Sequence, residues 1–199
     1  MSSLKIVLAH GAGAAMDSFF MEHIAQGLAD NGFYVIRFEF PYMQRIRQTG
    51  KRRPPDRTQV LIESWMDVLN EVGEFRKLVI GGKSLGGRIA SMIADSLGVH
   101  ALICLGYPFH PPGRPELLRT SHLKNLKTPT LICQGERDSF GNAEEVSHYP
   151  LSPSILVRFI EDGDHSFRPR AGTGATHEQN LDRAICFVVE FLTRTHHSP

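Results

Sequence analysis

The feature that most constrains this chain is a recurrence. Six short, unbroken apolar runs each end in glycine or a polar turn, and stretches of helical periodicity separate them. The runs are Ile6-Val7-Leu8-Ala9, Tyr34 to Phe38, Leu78-Val79-Ile80, Ala101 to Leu105, Thr130 to Cys133 and Ile155 to Ile160. A strand with one wet face alternates apolar and polar residues. Continuous runs instead read as strands covered on both faces, and so as a parallel sheet. Between them, Phe20, Ile24 and Leu28 share a helical face, as do Leu61, Trp65, Val68, Leu69 and Val72. Ile89, Ile93 and Leu97 form a third stripe, and Leu181, Ala184, Ile185, Val188 and Leu192 form a fourth. Pro112 to Leu126 and Ser139 to Tyr149 are expected to be helical in part. Strand alternating with helix implies right-handed βαβ crossovers. The prediction is one α/β domain over residues 1–199: a three-layer sandwich, with a mostly parallel six-stranded sheet and helices on both faces.

Charge removes several function classes. Lys and Arg number 22 and Asp and Glu 21, a formal charge of +1. A chain so balanced has no global field to hold nucleic acid or an anionic membrane, and neither is expected as a partner. No run of 18 apolar residues is present to span a bilayer. The stretch Met1 to Met16 has some leader-like apolar character, but Lys5 and His10 interrupt it, so it reads as strand plus loop. Cys104, Cys133 and Cys186 all sit in apolar company and are expected to be small buried hydrophobes. Their odd number points to a reducing compartment, with the cytoplasm as the expected location. Composition leaves monomer and dimer equally open. The one anomaly is Gln44 to Arg57, where Arg45, Arg47, Lys51, Arg52, Arg53 and Arg57 face Asp56 alone. Thr49-Gly50 and Pro54-Pro55 mark it as a loop. It is either a solvated surface or an element that steers an anionic substrate or covers a site, with Arg45 the candidate contact.

The residues that carry chemistry begin at Gly82-Lys83-Ser84-Leu85-Gly86. G-x-S-x-G is a weak pattern alone. Here a strand runs into it and a helical pattern, Arg88 to Ile93, runs out. That strand-to-helix turn holds a nucleophilic serine at the end of a sheet. A serine hydroxyl needs a base, and the base needs a third group to orient it. After Ser84, the fifth run leads to Gln134-Gly135-Glu136-Arg137-Asp138 and the sixth to Asp162-Gly163-Asp164-His165. In a parallel sheet these strand ends share one edge, where ligands bind. Asp138 and His165 are therefore the expected partners of Ser84, with Glu136 and Asp162 as competing acids. His110 fits the order Ser, acid, His poorly. An oxyanion needs two N–H donors. Leu85 N–H is one, and the loop His10-Gly11-Ala12-Gly13 supplies the other, with Ala12 first and Gly11 and Gly13 close behind. A dinucleotide fingerprint in that loop fails because position 16 is methionine.

On these motifs the chain resembles the α/β-hydrolases over essentially its whole length. The first run is similar to the family's third strand, so the usual N-terminal hairpin and a cap domain are expected to be missing. Gly82 to Arg88, Leu105 to Gly113 and Gln134 to Gly141 resemble a compact branch of predicted hydrolases, similar in size to dienelactone-hydrolase-like proteins but with serine at the nucleophile position. The resemblance implies the fold and the reaction type and supplies no substrate; the expected function is a serine hydrolase of a small ester or thioester that needs no metal or organic cofactor. That branch also includes relatives regarded as subunits of a nuclear acetyltransferase complex. A hydrolase-fold interaction module with little turnover is therefore the alternative. Tyr107 and Phe109, just after the fourth strand, are candidates for an apolar substrate wall or for a rigid surface loop. Lys83 is expected at the rim of the site, and Arg88 is expected to pair with a carboxylate.

Overall fold

The computed structural model describes residues 4–73 and 77–196. The first three residues of the leader-like stretch lie outside the described residues. Six strands form one sheet, all parallel, in the order β2-β1-β3-β4-β5-β6. The strands are β1 Lys5–Ala9, β2 Tyr34–Phe38, β3 Leu78–Lys83, β4 Ala101–Leu105, β5 Thr130–Gly135 and β6 Ile155–Ile160. The helices are α1 Phe19–Asp30, α2 Pro41–Thr49, α3 Thr58–Val72, α4 Leu85–Leu97, α5 Ala143–Ser147 and α6 His177–His196. Every one of the six apolar runs is a strand.

The strands bury both faces because alternate residues feed different cores. Ile6, Leu8, Val79, Ile103 and Leu131 pack against α1 and α6 through Ile24, Leu28, Leu181 and Val188. Val7, Ile80, Leu102 and Ile132 pack into the opposite layer with Leu61, Trp65, Leu69 and Ile89 of α3 and α4. That is the three-layer sandwich. Among the described residues, no helix is long and apolar enough to cross a membrane.

Two local expectations are corrected. The basic tract is not a continuous loop, because its first half is α2, with Pro41 at the helix start and Gly50 in the left-handed region at its end. Proline suits a first helical turn, where its missing N–H costs nothing, and glycine suits the left-handed stop. Cys104 and Cys133 are buried as expected, but Cys186 is exposed. It falls on the outer face of α6, in an apolar stretch that the helix divides between core and solvent. The segments 112–126 and 139–149 are helical in part as expected, through a 3-10 turn at Leu123–Asn125 and the short α5.

The strand order locates the site. β1 connects to β2 on one side and the chain then crosses to β3 on the other, so the connections diverge between β1 and β3. Ligands of open parallel sheets bind in the crevice at such a divergence, outside the C-terminal strand ends. His10 to Gly13 and Ser84 lie there.

Candidate active site

The turn from β3 to α4 is built on close backbone approach. Ser84 has φ 49° and ψ −111°, an uncommon conformation for a residue with a side chain. Strain of this kind, about 1–3 kcal/mol, persists only where the surroundings impose it. Here Ser84 N–H donates to Leu105 C=O at 3.0 Å, and Arg88 N–H donates to Ser84 C=O at 3.0 Å. A Cβ on Gly82 would stand 2.0 Å from Ala9 O, and one on Gly86 would stand 2.3 Å from the same atom. Only glycine lets β1, β3 and α4 meet so closely, and that contact lifts the Ser84 side chain above the sheet edge.

Ser84 Oγ lies 2.8 Å from His165 Nε2, and His165 Nδ1 lies 2.8 Å from Asp138 Oδ2. The three residues come from the ends of β3, β5 and β6. A carboxylate only accepts, so Nδ1 carries the proton and Nε2 presents its lone pair to the serine hydroxyl. Asp138 is fully buried. Its Oδ2 accepts from Gln134 Nε2 at 2.8 Å and its Oδ1 from Phe140 N–H at 2.8 Å. Phe140 also lies against the imidazole, with ring centroids 4.1 Å apart. Burial pushes His165 below the ordinary imidazole value. The Asp138 hydrogen bond opposes that shift and the Lys83 charge adds to it.

The competing acids are used elsewhere. Glu136 Oε2 accepts from Asp162 N–H at 2.8 Å, and Asp162 pairs with Arg137 and Arg170. His110 is buried, 2.9 Å from Pro111 O and 3.3 Å from Glu145 Oε2, so it has no part in the cluster.

The loop after β1 is braced by two residues that sequence reasoning passed over. Phe40 N–H donates to His10 Nε2 at 3.1 Å, so that nitrogen is an acceptor and His10 is the neutral Nδ1–H tautomer. Its Nδ1–H donates to Gly11 C=O at 2.7 Å, and burial lowers its pKa in the same sense. Tyr42 Oη lies 3.2 Å from both Gly11 O and Ala12 O. In a trans peptide, N–H points opposite to C=O. With both carbonyls turned toward His10 and Tyr42, the Ala12 and Gly13 N–H groups point away from that braced side. Leu85 opens α4, so its N–H has no partner within the helix.

A cavity of about 420 Å³ adjoins Ser84 and His165. Gly11, Ala12 and Gly13 line it as expected. Three other candidates do not. Tyr107 and Phe109 are fully buried in the core, where their rings pack 4.9 Å apart. The Tyr107 N–H is taken by Gln134 Oε1 at 2.8 Å. The aromatic wall therefore faces inward, because the chain after β4 turns down into the core. Arg45 pairs with Asp56 on α2 and the following segment, outside the cavity. In place of these, Phe20, Lys83, Phe140, Arg168 and His177 line the space. Lys83 is buried, not at the rim, and its Nζ donates to His165 C=O at 2.6 Å. Arg88 makes no ion pair among the described residues and lies near Arg119 and His122, whose charges it disfavours. A larger, more open groove of about 670 Å³ runs along the outer face of α1 and contains none of Ser84, Asp138 or His165. Among the described residues, no group of His, Cys, Asp and Glu has the arrangement of a metal site.

Known proteins share this fold. An alpha/beta hydrolase domain family matches residues 2–193. An alpha/beta-superfamily protein from Xanthomonas campestris superposes with a TM-score of 0.64 at 21% identity, covering 96% of this chain and 99% of its own. An alpha-beta serine hydrolase homologue from Coxiella burnetii gives 0.67 at 21% identity, covering 96% and 84%. A thermophilic esterase from Thermogutta terrifontis gives 0.71 at 18%, covering 98% and 91%. At such identities these three likenesses establish the fold.

Proposed function

Because the chain belongs to the alpha/beta hydrolase domain family, we propose that it is a serine hydrolase that cleaves a small carboxylic ester or thioester through an acyl-enzyme on Ser84. The observation that carries this reading is the unbroken hydrogen-bonded series from Ser84 Oγ through His165 to the buried Asp138. His165 Nε2 takes the hydroxyl proton as Oγ forms a bond to the substrate carbonyl carbon. Leu85 and Ala12 N–H groups receive the developing oxyanion. The tetrahedral intermediate collapses, the bond to the leaving oxygen or sulfur breaks, and the Nε2 proton moves to the leaving group. Water repeats the sequence on the acyl-enzyme and releases the acid. Asp138 keeps the imidazole in its Nδ1–H tautomer and stabilises the imidazolium between steps.

The cavity beside Ser84 supports a small acyl group, and the structural likeness to an esterase is consistent with ester chemistry. An interaction module without turnover gives no reason for Asp138 and His165 to stay aligned on a strained serine. The test is hydrolysis of a panel of 4-nitrophenyl esters and acyl thioesters. Wild type should turn over at least one, and Ser84→Ala should lower kcat/KM by at least about 10³-fold. A folded wild type inert to the whole panel, or a Ser84→Ala variant of equal activity, would overturn the reading.

A further inference from the structure

We propose that the cavity beside Ser84 is a carboxylate subsite, and that the ester it takes carries an anionic acyl group held by Lys83 and Arg168. The inference rests on the hydrolase reading and names the substrate class of that same site. Buried charges in proteins are normally paired, because desolvation of a lone ion is costly. Lys83 breaks that rule. It is 8% exposed and lines the cavity, yet it forms no ion pair with a carboxylate among the described residues. Its Nζ donates to a neutral acceptor, His165 C=O, and sits 5.4 Å above the Phe20 ring. An ammonium has three donors, so this bond leaves donor capacity on a residue that lines the cavity.

The two carboxylates whose charge reaches Lys83 are Asp138 and Asp164, and both are engaged elsewhere. Asp138 serves His165, Gln134 and Phe140 N–H. Asp164 Oδ1 accepts from Ser166 N–H and Arg168 N–H. Arg168 lines the same cavity and has no ion pair among the described residues. Arg168 is exposed, as are other arginines without a carboxylate partner, and what sets it apart is its place on the cavity wall. No aspartate or glutamate is among the described residues lining the cavity. An acid-free wall with one buried ammonium and one uncommitted guanidinium lacks only an anion, and a substrate carboxylate supplies it. Burial holds the Lys83 ammonium at a pKa of about 8, so it is still charged at neutral pH.

Two experiments decide this. The first compares the 4-nitrophenyl half-ester of adipic acid with 4-nitrophenyl hexanoate, which has the same chain length but no charge. Wild type should favour the half-ester at least tenfold in kcat/KM. Arg168→Gln should lower that ratio at least tenfold, Arg168→Lys should restore part of it, and Arg168→Glu should favour the neutral ester. Equal rates for both esters in wild type, or a ratio unmoved by Arg168→Gln, would overturn the subsite. The second needs no turnover: adipate is titrated calorimetrically into Ser84→Ala protein, and Lys83→Met in that background should weaken binding at least tenfold. Adipate that fails to bind Ser84→Ala protein, or binds equally without Lys83, contradicts the subsite. If adipate binds as expected but a fluorophosphonate leaves wild type unmodified, the subsite stands and the hydrolase reading fails.

Discussion

At the scale of single residues, electrostatics around His165 is set by opposed neighbours. Burial and the Lys83 ammonium favour neutral imidazole, while Asp138 favours imidazolium. A general base works when neutral, so activity should rise with pH through a value below the ordinary imidazole range, leaving most of it present at pH 6.5. Lys83→Met removes a like charge and should move this acidic limb to higher pH. Profiles of kcat/KM between pH 4.5 and 8 for both proteins read the shift, and an unmoved limb would show that Lys83 does not act on His165. The same substitution should stabilise the fold by about 1–3 kcal/mol at pH 7, because it removes a desolvated ammonium. The sign follows from the lowered pKa. The cost of Lys83 is full below about pH 8 and is lost as pH rises toward the unfolded value, so the stability gap should narrow above pH 8. Ser84, Asp138 and His165 were legible in the sequence because each follows an apolar run, and position in the fold selects them from many serines, acids and histidines. Lys83, Tyr42 and Arg168 were not, because their roles depend on which way a side chain points in the folded chain.

At the scale of elements, the strand-to-helix turn after β3 is the part that sequence spacing describes best and packing constrains most. Gly82 has φ +148°, and its missing Cβ leaves room for the Ala9 carbonyl. Gly82→Ala should therefore destabilise the protein by about 3 kcal/mol or more, through both the clash and the backbone conformation. Gly13 faces open space with no positive φ, and Gly13→Ala should shift stability by about 0.5 kcal/mol or less. Chemical denaturation of the two variants makes the comparison, and equal losses would mean that close approach of β1 and β3 is not what glycine serves here. Tyr107 and Phe109 illustrate why loops read poorly. Their proximity to a strand end suggested a substrate wall, but the left-handed turn at Gly106 sends the chain back into the core. The basic tract departs from the expected loop for a related reason. Its charges dominate the composition, whereas α2 forms because Pro41 and Gly50 bracket residues whose apolar members, Tyr42 and Met43, are buried.

At the scale of the whole molecule, the sheet order makes separate loops converge. β1 and β3 are neighbours in space but far apart in sequence, so the loop at Gly11 to Gly13 and the turn at Ser84 face each other across one crevice. Asp138 and His165 reach the same edge from β5 and β6. The continuous apolar character of all six strands made this parallel arrangement legible, since strands covered on both faces leave no other use for such runs. The orientation of a wall residue carries no comparable period, which is why the electrostatic character of the cavity emerges only in the folded structure. Activation of Ser84 as a nucleophile has a direct test in intact-protein mass after reaction with a fluorophosphonate. One phosphonyl adduct per wild-type chain is expected, mapped to Ser84, and none on Ser84→Ala. Folded wild type that gains no adduct, or a Ser84→Ala variant that gains it equally, would show that Ser84 is not an activated nucleophile.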